Sequence, residues 1–284
     1  MASLYGAFRT APDDDTAISF TLTGGHGSSY HPSRITDHVL AGLMEKEKPD
    51  FMVFLGDMVP RGERKFDYYD YVFGPFKCMI ATTPFYFVMG NHEYNDYDQN
   101  KEYVMNYMKG LFPLPAEKGY FDFDYGCAHF VALDNNLPYD DEAQIQFLIN
   151  SLKNSKAPWK FVCMHISPYF SGLMEDGGWR VLGKYFEEYG VDAVFSSHVF
   201  VYERSHPIKN GKVDYKNGIP YIVVGGAGDI RNEPLLHHKK AWHCAKVRAV
   251  SQFVNVTVTP DRFDMQAIDV NGNIFDVYSK EKYK

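Results

Sequence analysis

The chain has 284 residues, of which 45% are hydrophobic and 16% aromatic, and its net charge is −7. This apolar fraction is enough for a large packed core and excludes a disordered or low-complexity chain. No apolar run approaches the roughly 18 residues of a membrane span, and no basic block offers the positive face that nucleic-acid binding requires. We therefore expect a soluble protein with neither a membrane nor a nucleic acid as partner. The first residues lack a basic start followed by an apolar stretch, so no secretory signal is predicted.

Cysteine spacing excludes two further classes of site. The four cysteines, Cys78, Cys127, Cys163 and Cys244, lie far apart and form no C-x-x-C pair. That spacing argues against a thiolate zinc site and against a dense disulfide framework. No internal repeat and no long linker divides the chain.

Hydrophobic periodicity predicts alternating strands and helices over the first two-thirds of the chain. Ser33 is a candidate cap for a helix that carries Val39, Leu40, Leu43 and Met44 on one face. The other predicted elements are strands at Ile18–Thr23, Phe51–Leu55, Phe85–Val88, Phe121–Tyr125, His129–Leu133, Lys160–Met164, Ala193–Ser196 and Tyr221–Val224, and helices near Phe66–Phe76, at Asp141–Lys153 and before Ala193.

The last part of the chain is mostly β. Three consecutive strands are predicted at Val250–Val258, Arg262–Val270 and Ile274–Tyr278, and Asn271 with Gly272 is a turn signal between the last two. Strands that alternate with helices favour a layered α/β architecture. In such sheets the chemistry collects in the loops just past the carboxyl ends of the strands.

Polar residues stand at this position after four separate strands. They are Asp57, Asn91, His165 and His198. A carboxylate, an amide oxygen and two imidazoles make a nitrogen and oxygen shell that suits zinc, manganese, iron, cobalt or nickel. Each residue alone has a structural alternative, because an Asp after Gly is often a turn residue and a lone His is often only hydrogen-bonded. Their shared position on four strands favours a joint metal site.

The order of these motifs resembles the calcineurin-like metallophosphoesterase superfamily and is closest to its purple acid phosphatase branch. The motifs are Gly56-Asp57, Gly90-Asn91-His92-Glu93, Met164-His165 and Ser197-His198-Val199-Phe200-Val201-Tyr202-Glu203-Arg204. The resemblance implies a four-layer α/β/β/α sandwich of two mixed sheets flanked by helices. It also implies two metal ions that together activate a water and clamp the phosphoryl oxygens.

The resemblance also suggests a division of the chain. Residues 5–12 look like the tail of the β-sandwich that precedes the catalytic domain in longer family members. We therefore expect a linker-like tail over residues 1–15 and a metallophosphoesterase-like domain over residues 16–284.

Three positions depart from the family pattern. Gly25 stands where the family has the aspartate of its first motif, Pro60 where the purple branch has a ligand tyrosine, and Phe200 where the last motif has its second histidine. By this mapping every non-bridging ligand of the first metal is missing, and every ligand of the second is present. We expect one divalent or trivalent ion at most, with zinc, manganese or iron as the leading candidates. His26, beside Gly25, is a candidate substitute ligand, and the plainer alternative is a loop histidine that faces water.

The resemblance assigns roles to further residues. His92 is the main catalytic candidate, because the histidine at this place in the family contacts phosphate or helps with proton transfer, and an imidazole can do either near neutral pH. A buried structural role is its alternative. Glu93 is expected to orient backbone or a neighbouring histidine. A late group of His237, His238, Lys239, Lys240 and His243 is expected to form a solvated basic loop. Its alternatives are to line the mouth of the site or to bind an adventitious metal ion.

Two functions remain open on the sequence. The first is a slow, single-metal phosphoesterase that acts on a small phosphate ester or a phosphoprotein. The second is a non-catalytic descendant that keeps the fold and binds a phosphate-bearing ligand or a protein partner. Engineered removal of the three ligands is a further explanation that the sequence does not separate from these.

Overall fold

The computed structural model describes residues 9–26, 34–94, 101–112, 118–171, 178–228 and 240–282. The strands there are β1 (Ile18–Thr23), β2 (Phe51–Phe54), β3 (Phe85–Phe87), β4 (Phe121–Tyr125), β5 (Ala128–Leu133), β6 (Trp159–Met164), β7 (Ala193–Ser196), β8 (Tyr202–Ser205), β9 (Ile208–Lys209), β10 (Lys212–Val213), β11 (Tyr221–Val224), β12 (Cys244–Arg248), β13 (Gln252–Thr259), β14 (Arg262–Asp269) and β15 (Ile274–Glu281). The helices are α1 (Arg34–Lys46), α2 (Lys65–Tyr68), α3 (Lys77–Ile80), α4 (Asn91–Tyr94), α5 (Lys101–Leu111), α6 (Glu142–Asn154) and α7 (Gly183–Glu188).

Two large mixed sheets organise these strands. The six-stranded sheet has the order β15-β14-β13-β1-β2-β3, and the seven-stranded sheet has the order β12-β8-β11-β7-β6-β5-β4. In the first sheet β1, β2 and β3 are parallel, and in the second β5, β6, β7 and β11 are parallel. The carboxyl ends of each parallel set therefore lie at one edge of its sheet. The strands predicted late in the chain complete the first sheet, where β13 pairs antiparallel with β1.

An aromatic core joins the two sheets face to face. Phe20 of β1 stacks on Phe51 of β2 with ring centroids 5.1 Å apart, and it meets Phe130 of β5 edge-on at 5.1 Å. All three rings are fully buried, which stabilises the fold by about 2–3 kcal/mol for each ring. Because β1 and β2 belong to one sheet and β5 to the other, this packing fixes how the two sheets face each other.

Helices cover the outer face of each sheet. Leu40 of α1 and Met108 of α5 pack with Phe54 of β2 on the outside of the six-stranded sheet. Leu148 of α6 and Phe186 of α7 pack on the seven-stranded sheet in the same way. The result is the four-layer α/β/β/α sandwich that the family resemblance implied. Among the described residues, no helix combines the length and apolarity needed to cross a lipid bilayer.

Several predicted elements match the structure closely, and two differ for local reasons. The strands at Ile18–Thr23 and Phe121–Tyr125 have the predicted bounds. The helix predicted near Phe66–Phe76 is split, because a π-helical turn at Tyr69–Phe73 ends just before Pro75, which cannot donate a helical hydrogen bond. Val39 was placed on the buried face of α1 but is 41% exposed, since Leu40 and Met44, one turn apart, form that face.

Some predictions fall outside the described residues. Ser33, the predicted cap of α1, and residues 5–8 of the sandwich-like stretch are among them. The division into a tail over residues 1–15 and a domain over residues 16–284 remains a prediction.

Candidate metal centre

Four polar side chains meet where the carboxyl ends of both parallel strand sets converge. Asp57 follows β2 and Asn91 follows β3 in the six-stranded sheet, whereas His165 follows β6 and His198 follows β7 in the seven-stranded sheet. Each sheet thus contributes two of the four residues that the sequence singled out. The structure brings all four together.

Their polar atoms are close enough to share one cation. His165 Nε2 lies 3.1 Å from Asp57 Oδ2 and 3.1 Å from Asn91 Oδ1. His198 Nδ1 lies 3.2 Å from Asn91 Oδ1 and 3.1 Å from His165 Nε2. Ligand atoms held at about 2.0–2.2 Å from a zinc-like ion are separated from their neighbours by about 2.8–3.6 Å, the range from octahedral to tetrahedral geometry. The spacing in this cluster matches that separation.

The second nitrogen of His165 has a partner that fixes the ring. His165 Nδ1 donates to the main-chain carbonyl of Leu55 at 2.8 Å, because a carbonyl oxygen can only accept. In the neutral ring, Nε2 therefore presents its lone pair to the cluster, as a metal ligand must. Leu55 directly follows β2 of the six-stranded sheet, so this hydrogen bond also connects the two halves of the site. The donor set and the ring orientation both fit a bound metal ion.

The backbone at this site is unusual. Asp57 has φ 53° and His198 has φ 65°, in the left-handed region that most residues avoid. Gly56, with φ 85°, has no room for a side chain, since an added Cβ would lie 2.6 Å from His165 Nδ1 and 2.7 Å from Gly90 N. Strain of this kind collects at functional sites, where the surrounding structure holds it in place.

Glu93 holds the two loops that carry Asp57 and Asn91. Its fully buried carboxylate accepts hydrogen bonds from the main-chain N–H groups of Asp57 at 2.7 Å, Met58 at 2.8 Å and Gly90 at 2.8 Å. Glu93 thus orients backbone, as the sequence predicted. Burial and the nearby Asp57 charge raise the pKa of Glu93, while these N–H donors oppose that shift.

Electrostatics within the cluster favour an anionic Asp57 beside imidazole. Burial acts to raise the pKa of Asp57, but His165 and the hydrogen bonds around it outweigh burial and lower the pKa. Burial acts to lower the pKa of His165, and Asp57 more than reverses this, so that pKa is raised. Burial and the His165 charge lower the pKa of His198 to about 4. A metal ion would therefore compete with a proton chiefly at His165.

His92 lies beside the cluster rather than in it. Its main-chain N–H donates to Asp57 Oδ1 at 3.0 Å, and its Nδ1 donates to the carbonyl of Pro60 at 3.0 Å. The ring is half-buried, so Nε2 is the nitrogen left for a ligand. Pro60, which has no ligating side chain, orients this imidazole through its carbonyl group.

Gly25 and Phe200 are the other two positions that depart from the family pattern. Gly25 has φ 73°, and a Cβ added there would lie 2.9 Å from Gly226 N. Phe200 is half-buried in the segment that follows His198. Neither residue offers a side-chain nitrogen or oxygen to a cation.

His26 does not join the cluster. Its Nδ1 lies 2.6 Å from Asp37 Oδ1 and its Nε2 lies 2.7 Å from Thr23 Oγ1, so both ring nitrogens are occupied. The side chain is fully buried, so the alternative of a water-facing loop histidine is wrong. Sequence reasoning missed the pairing because Asp37 lies on the inner face of α1, eleven positions away.

His243 was expected in a solvated loop, and that expectation is wrong. It is 1% exposed and packs edge-on against Tyr169 and Trp242, both at 5.3 Å between ring centroids. The neighbouring His237 and His238 lie outside the described residues. The apolar residues Ala241, Trp242, Cys244 and Ala245, which flank His243, were the available signal for burial.

Lowering the pH is expected to reduce the free energy of unfolding more in the native chain than in the His243→Gln variant. Burial, with smaller contributions from Arg180 and His206, lowers the pKa of His243 to about 4. In the unfolded state His243 becomes protonated near pH 6.5, whereas in the folded state it stays neutral until about pH 4. The free energy of unfolding therefore falls as the pH drops from 6.5 toward 4. Between pH 7.5 and 5.0 the difference in the free energy of unfolding is at most about 2 kcal/mol, and urea unfolding at both pH values measures it. His38→Gln, on the exposed side of α1, is the control, and an equal pH effect in the native chain and His243→Gln would contradict the assignment.

Comparison with known proteins agrees with this geometry. The family model for calcineurin-like phosphoesterases matches residues 26–202. Purple acid phosphatase 21 of Arabidopsis thaliana is 27% identical over 239 residues, which cover 78% of this chain and 52% of that protein. Probable inactive purple acid phosphatase 24 of the same plant is 27% identical over 236 residues, 71% of this chain and 38% of that protein.

Solved structures show the same fold. The purple acid phosphatase PPD1 from yellow lupin seeds superposes with a TM-score of 0.84 at 19% identity, covering 96% of this chain and 56% of that one. The chain spans about half the length of the curated relatives it matches most fully. Since the family model covers more than half of the sequence, the chain belongs to the calcineurin-like phosphoesterase family.

Proposed function

We propose that this protein is a phosphoesterase that hydrolyses phosphate esters with one metal ion held by Asp57, Asn91, His165 and His198. The observation that carries the proposal is the convergence of four ligand atoms from four strand ends, with neighbouring atoms 3.1–3.2 Å apart. An ion held by these residues would supply positive charge for a phosphoryl oxygen and would make a nearby water a stronger nucleophile. Zinc, manganese and iron all suit this donor set.

The chain's own residues would do the remaining work. The Pro60 carbonyl occupies His92 Nδ1, and Asp57 tethers the main chain of His92. His92 Nε2 would then bind a phosphate oxygen or give a proton to the leaving group. Glu93 keeps the Asp57 and Asn91 loops in register. With Gly25, Pro60 and Phe200 at the positions of the missing ligands, only one charge would face the transition state. We therefore expect slow turnover compared with two-metal relatives.

The first test joins metal content with turnover. Purified protein, loaded in turn with zinc, manganese or iron, is expected to retain about one ion per chain and to hydrolyse para-nitrophenyl phosphate. His165→Ala is expected to reduce both metal content and turnover to background, because it removes a ligand whose other nitrogen anchors the site to Leu55.

A matched control separates loss of a ligand from loss of a buried histidine. His129 is also buried, with hydrogen bonds to Asp124 and Ser151, but it lies outside the cluster. His129→Ala should retain the metal while losing some stability. Equal turnover in the native chain and His165→Ala would rule out the proposed phosphoesterase.

A non-catalytic role is the second candidate, and the three replaced ligand positions favour it specifically. In that case the chain would bind its ion, and para-nitrophenyl phosphate would show no turnover with any metal. Retained metal without turnover distinguishes this candidate from the first.

A further inference from the structure

Two of the metal ligands meet across a gap between the sheets. Asn91 follows a strand of the six-stranded sheet and His165 a strand of the seven-stranded sheet, yet Asn91 Oδ1 lies 3.1 Å from His165 Nε2. Among the residues that the structure describes, no strand pairing connects these two sheets. The spacing of these two ligands therefore depends on packing and on side-chain hydrogen bonds that cross between the sheets.

Two consecutive asparagines make hydrogen bonds of this kind. Asn135 accepts at Oδ1 from the N–H of Ile166 at 2.6 Å, and Ile166 is the residue after the histidine ligand of β6. Asn136 donates from Nδ2 to the carbonyl of Gly90 at 3.2 Å, and Gly90 is the residue before the asparagine ligand. We name these two side chains the asparagine clamp. The clamp connects the main chain beside one ligand to the main chain beside the other.

The residue before the clamp fixes it to two helices. Asp134 is 3% exposed and accepts at Oδ1 from the main-chain N–H of Asn136 at 2.9 Å and from its Nδ2 at 2.8 Å. The Gln144 side chain, on α6, accepts from the N–H of Asp134 at 2.7 Å and donates to its carbonyl at 3.2 Å. Asp134 Oδ2 accepts from the hydroxyl of Tyr94 at 2.9 Å, and Tyr94 ends the helix that Asn91 begins. The clamp is therefore supported from both sides.

The burial of Asn135 is not explained by fold stability. The residue is 9% exposed, and its Nδ2 is buried with no hydrogen-bond partner in the described part of the chain. A buried N–H donor without an acceptor lowers the free energy of unfolding. Side chains that break a rule of stable packing collect at functional sites. The one hydrogen bond that this side chain makes holds the loop of a metal ligand.

We propose that Asn135 and Asn136 are positioning residues, which set the distance between Asn91 and His165 and thereby the coordination geometry and affinity of the metal ion. They act through the two ligand loops and contact neither the ion nor the substrate. This inference rests on the metal site of the proposed function and is independent of turnover. Because the two hydrogen bonds act in series, loss of either one breaks the connection. Removing both side chains should therefore weaken metal binding no more than the worse single removal does.

Cobalt is the probe, because this donor set suits it and its visible absorption depends on coordination geometry. At saturating cobalt, Asn135→Ala and Asn136→Ala are each expected to shift the absorption bands, and titration should show roughly tenfold weaker binding. The double variant should bind about as weakly as the weaker single variant. A residue that only stabilises the fold would leave the bands of the saturated, folded protein unchanged.

Asn255→Ala is the matched control. Asn255 also makes one side-chain hydrogen bond, from Nδ2 to Glu47 at 2.8 Å, and its Oδ1 is buried without a partner, but it lies within β13 and outside the ligand loops. This variant should keep the native cobalt bands and affinity. Asn135→Asp guards against an alanine variant that does not fold, because it keeps an acceptor for Ile166 in a side chain of the same size. It should retain the native bands.

Amide hydrogen exchange of the metal-free protein tests the Asn135 bond itself. The Ile166 N–H is expected to exchange at least about tenfold faster in Asn135→Ala than in the native chain or Asn255→Ala, and equal exchange rates would contradict the proposal. Native cobalt bands and affinity in both clamp alanine variants would overturn it and leave the metal site standing. A native chain that binds no cobalt would overturn both. Bands that depend on the clamp, without turnover of para-nitrophenyl phosphate, would sustain the clamp and refute only the phosphoesterase.

Discussion

Replacing Glu93 by alanine is expected to destabilise the protein by at least about 3 kcal/mol and to weaken metal binding by roughly 10- to 100-fold. Its carboxylate accepts three main-chain hydrogen bonds in a fully buried position, and alanine would leave all three donors without a partner. The same bonds position the loops of Asp57 and Asn91, so metal affinity falls together with stability. Urea unfolding of the metal-free protein and titration with zinc measure the two effects separately.

Glutamine at position 93 sharpens this prediction. The amide keeps the shape of the carboxylate but turns one acceptor into an NH₂ group, which would face main-chain donors where Glu93 now accepts. We expect the free energy of unfolding to fall by about 2 kcal/mol, which is less than for alanine but larger than the error of urea unfolding. Glu45→Gln on the exposed side of α1 is the control and should stay within about 0.5 kcal/mol. Unchanged urea midpoint and zinc affinity in Glu93→Gln would show that Glu93 does not hold these loops.

The sequence predicts well that these four side chains converge, because each of them follows a short apolar strand. Apolar runs that end in Gly or a polar residue mark the carboxyl edge of a parallel sheet, so Asp57 and Asn91 could be placed without knowing the fold. The strand ends before His165 and His198 carry the same signal. The pattern does not predict that Asp57 and Asn91 follow strands of one sheet while His165 and His198 follow strands of the other. That arrangement depends on face-to-face packing of rings such as Phe20 and Phe130.

Contacts between distant segments were beyond prediction from the sequence. The hydrogen-bond partner of His165 Nδ1 is the carbonyl of Leu55. Every residue has a main-chain carbonyl, so the sequence does not indicate which one accepts this bond. The same holds for Pro60, which reads as a lost ligand although its carbonyl orients His92. Short strands such as β9 and β10 have two residues each, too few for a period to show.

One long-range interaction explains a motif that the sequence recognised only by resemblance. Tyr202 and Arg204 of β8 both bind Asp276 of β15, with the Tyr202 hydroxyl at 2.6 Å and Arg204 Nε at 2.7 Å from Asp276 Oδ2. This pairing connects β8 of the seven-stranded sheet, next to its edge strand β12, to the edge strand β15 of the six-stranded sheet. Tyr202 and Arg204 of the Tyr-Glu-Arg motif therefore help to hold the two sheets together.

Restoring the missing ligands is expected to add a second metal ion. Gly25→Asp with Phe200→His returns a carboxylate and an imidazole to the positions that Gly25 and Phe200 now hold, and we expect metal content to rise from about one toward two per chain. Turnover should increase at least about tenfold, since a second charge would face the transition state. The metal-free variant should be less stable by about 1–3 kcal/mol, because position 25 has φ 73° and its new Cβ would crowd Gly226 N at 2.9 Å.

The matched control is Gly25→Asn with Phe200→His. Asparagine has the size of aspartate and tolerates the left-handed backbone equally well, so both variants carry the same strain and differ only in the charge at position 25. A neutral amide neutralises a divalent or trivalent cation poorly, so this control should stay near one ion per chain. Inductively coupled plasma mass spectrometry after dialysis measures the content, and circular dichroism verifies that both variants are folded. If the folded aspartate variant also stays at one ion, then Gly25 and Phe200 do not border a vacated metal position, and slow single-metal chemistry must have another origin.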